Sequence, residues 1–503
     1  MSLTLSKTDY ILYRECPKNT WFKIHKPDLY YQSELSDFDK AIIETGNEVE
    51  LVARELFPEG KLIEGRGIEA QRLTQDYLSK SESVLFQPAF SHQGFFAAVD
   101  ILKCDPSTKS HSIFEVKATS DIDEKVHLFD LAFQVALLRK AGLEVTEIGL
   151  IHLDPEYTRF GTLNIQHLFK VEDVTAKVEE LMEEVVTQMD EALRYLSGEA
   201  EPKGWCSCIY KGRSNHCSTF KHSNPQIPEY SIHDIARIGS SKKKLIELVD
   251  MSISHIHEIP EDVKLSDIQR NQVDTHLSGK VIRKLEEIGE ELQKLVFPLY
   301  FLDYETFPAA IPRFNGFSPY QQIPFQYSLH VLESPESEPV HFQFLFTDST
   351  DPSLDLAESL QENIGPTGSV IVWNKSFECG INEALGSRVQ LKKAFLQSVN
   401  DRVFDLMDIF KKQYFVHKDF RGSTSIKRVL PVLAPELSYK DLEIHDGGSA
   451  SQSWNKLTTG QISPEEKLKV AQDLRKYCER DTYAMYVIWN HLRNICKGTS
   501  EAQ

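Results

Sequence analysis

Two carboxylates, Asp303 and Glu305, interrupt the apolar and aromatic stretch FPLYFLDYETF, residues 297–307. The aliphatic and aromatic residues predict a largely buried strand, on which residues two apart face the same side. Burying two like charges is unfavourable unless cations neutralise them. The pair is therefore a candidate site for divalent cations. A surface strand with solvated acids is the alternative, and the Phe, Leu and Tyr neighbours disfavour it.

Two later segments add candidate residues to this pair. VIVWNKSFECGINEAL, residues 370–385, predicts a strand that leads into a helix, with Glu378 near the helix start. KYCERDTYAMYVIW, residues 476–489, lies in a predicted long C-terminal helix that begins at SPEE, where Ser463 can cap, Pro464 fits the first turn and Glu466 completes a capping box. Tyr477 and Asp481 are four residues apart and therefore share one face of that helix.

In this order and at this spacing, the acidic residues and the tyrosine resemble the tyrosine-bearing branch of the DEDD exonucleases, which are DnaQ-like. The resemblance covers about residues 299–495 and implies a ribonuclease H-like fold with two Mg²⁺ or Mn²⁺ ions. It also implies that Tyr477 orients the attacking water. The implied metal ligands are Asp303, Glu305, Glu378 and Asp481. The second motif of the family usually has Asp where this chain has Glu378, and Asp405 is the alternative ligand.

A second candidate set lies in GFFAAVDILKCDPSTKSHSIFEVKATS, residues 94–120. The pattern predicts strand, turn and strand, with Glu115 and Lys117 on one face and Asp100 on the partner strand. Asp100 and Glu115 could hold a divalent ion, and Lys117 could stabilise an attacking hydroxide or the charge of the phosphate. A hairpin with a surface Glu–Lys pair is the alternative.

This segment resembles the PD-(D/E)XK nuclease core of the RecB-like branch. The following LFDLAFQVALL places Gln134 on a helix, as in that branch, although Leu138 stands where a Tyr is usual. Upstream, ETGNEVELVARELF resembles the first helix of the branch, with Glu50 where a His often stands. The resemblance implies a metal-dependent nuclease centre. Its catalytic residues would be Asp100, Glu115, Lys117 and Gln134.

Four of the eight cysteines flank this predicted nuclease core. Cys16 precedes it, and Cys206, Cys208 and Cys217 follow it in GWCSCIYKGRSNHC. One cysteine before the core and three after it resemble the iron–sulfur staple of RecB-like nucleases, which implies a [4Fe–4S] cluster. The C-x-C-x8-C spacing departs from the commoner pattern. A zinc site with His216 as a candidate ligand is the main alternative, ahead of three reduced loop cysteines.

Length, net charge and the lengths of apolar runs limit the class of protein to which the chain can belong. Its 503 residues predict two or three domains. The resemblances imply an α/β protein with a restriction-endonuclease-like domain over 1–222, a helical connector over 223–298 and an exonuclease-like domain over 299–503. A net charge of −19 argues against coating nucleic acid through a basic surface but permits metal-dependent cleavage of it. No apolar run approaches a membrane span, and MSLTLSKTDY lacks the basic-then-apolar pattern of a signal peptide, so we expect a cytoplasmic protein without a membrane partner.

The order of the two halves resembles a bacterial family of uncharacterised proteins that fuse a RecB-like nuclease to a DnaQ-like exonuclease. The resemblance implies two metal-dependent nuclease centres that act on DNA, with the C-terminal one trimming 3′ ends. A 3′–5′ exoribonuclease is the alternative within enzymes. A nucleic-acid-binding clamp in which one or both centres have decayed is the alternative outside enzymes.

Overall fold

The structure is a computed structural model, and it describes residues 3–31, 37–80, 82–240, 242–437, 439–460 and 462–500. The chain divides into two compact units, both of mixed α/β composition. Unit 1 comprises Met1–Ile227 and Ala310–Gln321, and unit 2 comprises Pro228–Ala309 and Gln322–Gln503. Within the described ranges, no helix is both long enough and apolar enough to cross a membrane.

Unit 1 contains nine strands and nine α-helices in its described part. The strands are β1 Leu5–Ser6, β2 Lys61–Leu62, β3 Val84–Phe86, β4 Ala89–His92, β5 Phe95–Ala98, β6 Ile101–Cys104, β7 His111–Lys117, β8 Val145–Leu153 and β9 Phe169–Asp173. The helices are α1 Lys7–Glu15, α2 Pro17–His25, α3 Pro27–Tyr30, α4 Asp37–Ala53, α5 Gly67–Ser79, α6 Glu124–Lys140, α7 Ile165–Leu168, α8 Thr175–Leu196 and α9 Phe220–Ser223. Short 3₁₀ helices lie at Arg54–Leu56, Ser207–Tyr210 and Arg213–Asn215.

The main sheet of unit 1 has the strand order β2-β3-β6-β7-β8-β9, and a second sheet has the order β1-β5-β4. Strands β6 and β7 are antiparallel neighbours joined by a turn, as predicted. Asp100, predicted on the partner strand, instead lies just before β6, because the predicted strand divides into β5 and β6, which belong to different sheets. Helix α6 crosses over to β8, which runs parallel to β7. Leu131, Val135 and Leu138 of α6 are fully buried in the core between this helix and the sheet. This packing fixes α6 against β7.

Unit 2 contains seven strands and ten α-helices in its described part. The strands are β10 Ile282–Arg283, β11 Leu299–Pro308, β12 Gln322–Leu332, β13 Val340–Leu345, β14 Ser369–Val372, β15 Val403–Asp405 and β16 Phe415–Val416. The helices are α10 Lys242–Asp250, α11 Asp267–Ser278, α12 Leu285–Gln293, α13 Ser353–Asn363, α14 Lys375–Arg388, α15 Lys393–Asn400, α16 Asp408–Lys411, α17 Ile426–Leu433, α18 Gly447–Thr459 and α19 Pro464–Ser500. Short 3₁₀ helices lie at Ile232–Asp234, Ile256–Glu258, Gln390–Lys392 and Lys418–Phe420.

The main sheet of unit 2 has the order β13-β12-β11-β14-β15. Its central strand, β11, is antiparallel to β12 and parallel to β14. One face of β11 packs Leu302 and Tyr304 into the apolar core with α14 and α15. The opposite face carries Phe301, whose ring contacts those of Tyr486 and Trp489 on α19. The long helix α19 therefore lies across the face of β11 that also carries Asp303 and Glu305.

Two local predictions for unit 2 can be compared directly with the structure. The predicted long helix begins as expected, because the backbone N–H of Glu466 donates to Ser463 Oγ at 3.2 Å. The predicted connector, 223–298, carries helices α10, α11 and α12 and also the short strand β10, which pairs with β16. From Pro228 onward this segment belongs to unit 2.

Candidate functional sites

Three elements of unit 2 bring the predicted exonuclease residues together. Asp303 and Glu305 lie on β11, opposite Ser328 and Gln326 of β12, on the face covered by α19. Glu378 lies in the first turn of α14, directly after β14. The third element is α19, which carries Tyr477 and Asp481. Because β14 runs parallel to β11, the helix that follows it begins at the end of the sheet where the acidic pair lies.

A single cavity of about 310 Å³ lies between these elements. All five predicted side chains line it: Asp303, Glu305, Glu378, Tyr477 and Asp481. Most of them are nearly inaccessible to solvent, since Glu305 is 6%, Glu378 3% and Asp481 8% exposed. The cavity wall is completed in part by Trp373 and Phe377. The structure therefore places four carboxylates and a phenol around one small, partly apolar space.

Asp405, the alternative to Glu378, lies outside the group of residues that line this cavity. Its carboxylate accepts hydrogen bonds from the backbone N–H of Lys375 at 3.3 Å and from the Lys411 ammonium at 3.2 Å. Glu378 instead buries Oε2 without a hydrogen-bond partner in the described part of the chain. Of the two acids, Glu378 is the one available to a cation in the cavity.

Burial and mutual repulsion make this carboxylate group unfavourable when it is fully charged. Burial and the charges of Asp481, Glu305 and Glu378 raise the pKa of Asp303 well above its usual range. Burial raises the pKa of Glu378 to about 8. It also raises the pKa of Asp481 to about 6, although hydrogen bonds from Tyr439 and Tyr477 oppose the shift. Divalent cations would relieve this repulsion, and carboxylate oxygens are the ligands that Mg²⁺ and Mn²⁺ prefer.

Sequence reasoning missed two side chains of this site, Lys427 and Tyr439. The Lys427 ammonium lies in the cavity wall and donates to Tyr477 Oη at 3.2 Å. Tyr439 donates from its hydroxyl to Asp481 Oδ1 at 2.5 Å. The segment GSTSIKRVLPVL, which contains Lys427, carries no spacing signal that points to Tyr477, so only the fold could reveal this contact.

A thiol also lies beside the acidic pair. Cys478 is fully buried, and its sulfur lies within 4.8 Å of one carboxylate oxygen of Asp303 and one of Glu305. A sulfur ligand is softer than a carboxylate and favours zinc over magnesium. The cavity lining therefore offers oxygen donors, and the Cys478 thiol lies next to the acidic pair but outside the lining.

The predicted nuclease residues of unit 1 form a connected hydrogen-bond cluster. Gln134 Nε2 donates to Glu115 Oε2 at 2.8 Å, and Lys117 Nζ donates to Glu115 Oε1 at 2.8 Å. Asp100 precedes β6, and its Oδ2 accepts the backbone N–H of Val116 at 2.9 Å. Strand β7 and helix α6 thus bring the four side chains to one place.

Lys7 and Asp130 belong to the same cluster and were not predicted. Lys7, the first residue of α1, contacts both oxygens of Glu115 at 2.8 and 3.0 Å and lies 3.8 Å from Asp100 Oδ1. Asp130 accepts from Lys117 at 2.6 Å and from Gln134 at 3.2 Å. Asp130 could have been found, because it lies four residues before Gln134 on the same helix face.

Burial and charge pairing oppose each other in this cluster. Although burial acts in the opposite direction, Lys117 and Lys7 hold the pKa of Glu115 well below its usual range. Burial and the charge of Glu115 raise the pKa of Asp100 to about 7. Two ammonium groups, those of Lys7 and Lys117, therefore contact the candidate metal ligand Glu115.

Glu50 and Leu138 are the two positions that depart from the RecB-like pattern, and both have defined contacts in the structure. Glu50 on α4 accepts from Arg54 at 2.7 Å and from Gln87 at 2.6 Å. Gln87 also donates to Asp100 at 3.1 Å, which links Glu50 to the cluster. Leu138, which replaces the usual tyrosine, is fully buried in the core of unit 1.

Four cysteines of unit 1 form a candidate metal centre. Their sulfur atoms all lie within 4.8 Å of one another, and they belong to Cys16, Cys206, Cys208 and Cys217. None of them is in a disulfide. Asn224 Nδ2 donates to Cys206 Sγ at 3.2 Å, which is a contact typical of a thiolate ligand shell. The predicted grouping of one distant cysteine with three clustered ones is present in the fold.

His216, the candidate ligand of the zinc alternative, is outside this four-sulfur group. Its Nε2 donates to the carbonyl oxygen of Lys211 at 3.0 Å. Its ring stacks on Phe220 with the centroids 3.4 Å apart. The cysteines therefore supply four ligands without the histidine.

Comparison with known proteins matches only part of the chain. Residues 300–425 match the family described as Domain of unknown function (DUF2779). This segment contains Asp303, Glu305 and Glu378 and ends before Tyr477 and Asp481.

Three curated proteins with uncharacterised activity are similar to the chain over about 220 residues. Uncharacterized protein MG366 of Mycoplasma genitalium is 28% identical over 214 residues, covering 39% of this chain and 32% of that protein. The Mycoplasma pneumoniae homolog of MG366 is 28% identical over 215 residues, with the same 39% and 32% coverage. Uncharacterized protein UU173 of Ureaplasma parvum serovar 3 is 25% identical over 221 residues, covering 40% and 32%. The matched region thus spans about a third of the length of these relatives.

Proposed function

We propose that unit 2 is a divalent-metal-dependent 3′–5′ exonuclease that acts on DNA. The observation that carries the proposal is the single cavity lined by four carboxylates and Tyr477. Two carboxylates on a central strand, a third on a neighbouring helix and a tyrosine–aspartate pair on a long helix match the residue types of the DEDD exonucleases. The raised pKa values of Asp303 and Glu378 support cation binding, because cations would stabilise the ionised forms.

The residues of the cavity have separate tasks in this proposal. When bound, two divalent cations supply Lewis-acid activation of the scissile phosphate and of the attacking water. Asp303, Glu305, Glu378 and Asp481 would hold them. Tyr477 orients the water through its phenol oxygen, which Lys427 fixes by a hydrogen bond of 3.2 Å. Tyr439 holds Asp481 in place through the bond to Oδ1.

A second nuclease centre in unit 1 is favoured by a specific observation. Asp100, Glu115, Lys117 and Gln134, which come from a strand start, a neighbouring strand and a helix, converge in one cluster with Asp130. Lys117 would stabilise the negative charge that develops on the phosphate, and Gln134 would orient Glu115.

The four-cysteine group would hold a metal that joins the start of unit 1 to its end. Zinc with four thiolates requires sulfur atoms about 3.8 Å apart, from a Zn–S distance of about 2.3 Å. The Cys16–Cys217 and Cys206–Cys217 sulfurs are 3.9 Å apart. These two distances suit a single tetrahedral ion, whereas the larger [4Fe–4S] cluster needs its four sulfur ligands further apart. Metal analysis and the visible absorption of an iron–sulfur cluster distinguish the two.

The activity test is digestion of 5′-labelled single-stranded DNA and RNA of one sequence in Mn²⁺. Asp303→Ala should abolish a one-nucleotide ladder, and Asp355→Ala, which removes an exposed acid of α13, should leave it intact. Lys117→Ala tests the centre of unit 1 separately. Its control is Lys103→Ala, which alters an exposed residue of β6. Preference for RNA would make unit 2 an exoribonuclease. Binding without cleavage of either strand would favour the clamp.

A further inference from the structure

A second group of metal-binding side chains lies in unit 2, outside the residues that line the catalytic cavity. It consists of His330 on β12, His341 on β13 and Glu479 on α19. One ligand atom of each residue lies within 4.8 Å of one from each of the others. Two imidazoles and one carboxylate form a typical donor set for zinc and related divalent ions.

The fold explains why these three side chains meet. His330 and His341 are directly opposite each other in the antiparallel pair β12–β13, so both point to the same face of the sheet. Their rings stack with the centroids 4.5 Å apart. Helix α19 crosses this face, and it brings Glu479 to the edge of the sheet.

Hydrogen bonds already orient both imidazoles. His330 Nδ1 lies 2.8 Å from Thr482 Oγ1, and His341 Nε2 lies 3.0 Å from Ser328 Oγ. The two hydroxyl groups are 2.7 Å apart and form one small network. Metal-binding histidines characteristically use the second ring nitrogen in such a contact, which fixes the orientation of the ring.

The remaining ring nitrogen of His341 faces the carboxylate. His341 Nδ1 lies 3.8 Å from Glu479 Oε1, which is too far for a hydrogen bond. Two ligands of one tetrahedral zinc ion are about 3.4 Å apart when each bond is about 2.0–2.1 Å long. A small side-chain adjustment therefore brings both atoms onto one ion.

Burial and accessibility suit a metal ligand set. His330 is buried, whereas about half of the Glu479 side chain is exposed. An ion can therefore reach the group from solvent on the Glu479 side, and water can complete its coordination.

We propose that His330, His341 and Glu479 bind a zinc-class divalent ion at the edge of the main sheet of unit 2. The ion would tie β12 and β13 to α19, the helix that carries Tyr477 and Asp481. This site has imidazole ligands, so it would select zinc, cobalt or nickel over magnesium, in contrast to the carboxylate-rich cavity. The proposal does not depend on nuclease activity and stands if neither centre cleaves nucleic acid.

The test is the zinc stoichiometry and affinity of the full-length protein, measured with ZnCl₂ for wild type, His341→Gln and Glu479→Gln. His417→Gln is the matched control, because His417 has an acidic neighbour, Asp419 at 3.5 Å, and is in none of the three-residue groups of the described chain. We expect each site variant to bind one zinc fewer than wild type, or to bind that zinc at least about tenfold more weakly. His417→Gln should match wild type. Zinc that binds at the carboxylate cavity or at the four cysteines is the same in all four proteins and does not affect the difference.

Crystals grown with ZnCl₂ give the position of the ion directly through anomalous scattering. A peak between the three side chains in wild type, absent in Glu479→Gln, supports the proposal. Because Glu479 is half exposed, its substitution by Gln removes a ligand without disturbing the core. Equal stoichiometry and affinity in wild type and both site variants, or no anomalous peak at this position, would overturn the proposal.

Discussion

The ammonium group of Lys427 donates a hydrogen bond of 3.2 Å to the phenol oxygen of Tyr477, 50 residues further along the chain. The same ammonium donates to the backbone carbonyl of His445 at 2.6 Å, so its position is fixed from two sides. Its positive charge also opposes the burial effects that raise the pKa values of Asp303 and Glu305. Lys427 is therefore a structural partner of the proposed catalytic tyrosine as well as a counter-charge for the acids.

The first prediction concerns Lys427. Lys427→Met should lower kcat for single-stranded DNA by about a hundredfold, a loss typical of removing one preorganised donor. KM should change less, because the contact positions Tyr477 rather than the bulk of the substrate. Lys427→Arg should recover part of kcat, since it keeps the charge and the donor. Lys412→Met is the control, because Lys412 pairs with Glu291, outside the cavity lining. Equal kcat in wild type and Lys427→Met would contradict the role.

The second prediction follows from the raised pKa of Glu378. A carboxyl whose pKa rises from 4.5 to about 8 on folding stabilises the folded state below pH 4.5 and loses that contribution as the pH rises through 8. Glu378→Gln removes the charge and should raise the free energy of unfolding of the metal-free protein at pH 8 by about 1–3 kcal/mol. The difference from wild type should vanish near pH 4.

Urea denaturation in a chelator at several pH values measures this difference. Asp355→Asn, which alters an exposed acid of α13, is a control whose effect should be small at every pH. A Glu378→Gln variant that is less stable than wild type at pH 8, or a difference that does not depend on pH, would contradict the account. Added Mn²⁺ should reverse the order, because wild type alone keeps all four carboxylates for the ions.

The third prediction concerns Lys7, whose ammonium lies between Glu115 and Asp100 where a divalent cation would compete for the same oxygens. Lys7→Met should strengthen Mn²⁺ binding to unit 1. It should also lower the free energy of unfolding of the metal-free protein by about 3–5 kcal/mol, because buried acids lose their partner. Mn²⁺ titration in an Asp303→Asn background isolates unit 1. Lys23→Met, which breaks the Lys23–Asp9 pair, is the control.

Local patterns predicted much of the fold near both sites. The aliphatic and aromatic residues of FPLYFLDYETF predicted strand β11, and the two-residue spacing of its acids predicted that they share one face. The N-cap at Ser463 predicted the start of α19. Lys7 and Lys427 could not be predicted in this way. Lys7 meets Glu115 across 108 residues of sequence, and neither lysine has a neighbour at a periodic spacing that indicates its partner. Charge pairing across distant elements depends on packing, which local periodicity does not encode.

The same reasoning separates Glu378 from Asp405. Sequence order made both acids acceptable as the second-motif ligand, since both lie between the acidic pair on the predicted strand and the tyrosine motif of the last helix. The structure distinguishes them by hydrogen bonding, because Asp405 is held by the N–H of Lys375 and by Lys411, whereas Glu378 Oε2 is buried without a partner in the described part of the chain. The residue that lines the cavity is therefore Glu378, which stands where the family usually has an aspartate.

The fourth prediction concerns the four-cysteine group. Cys16 lies between α1 and α2, whereas its three partners lie near the end of unit 1, so a shared metal cross-links segments about 190 residues apart. Cys16→Ser should lose the metal and lower the free energy of unfolding by about 2–5 kcal/mol, the range for a lost native cross-link. Cys104→Ser removes a cysteine of β6 outside the group and should keep the metal. Elemental analysis and chelator-induced destabilisation check both variants. Equal metal content in wild type and Cys16→Ser would show that the four sulfurs do not share an ion, because a site with one ligand removed binds far more weakly.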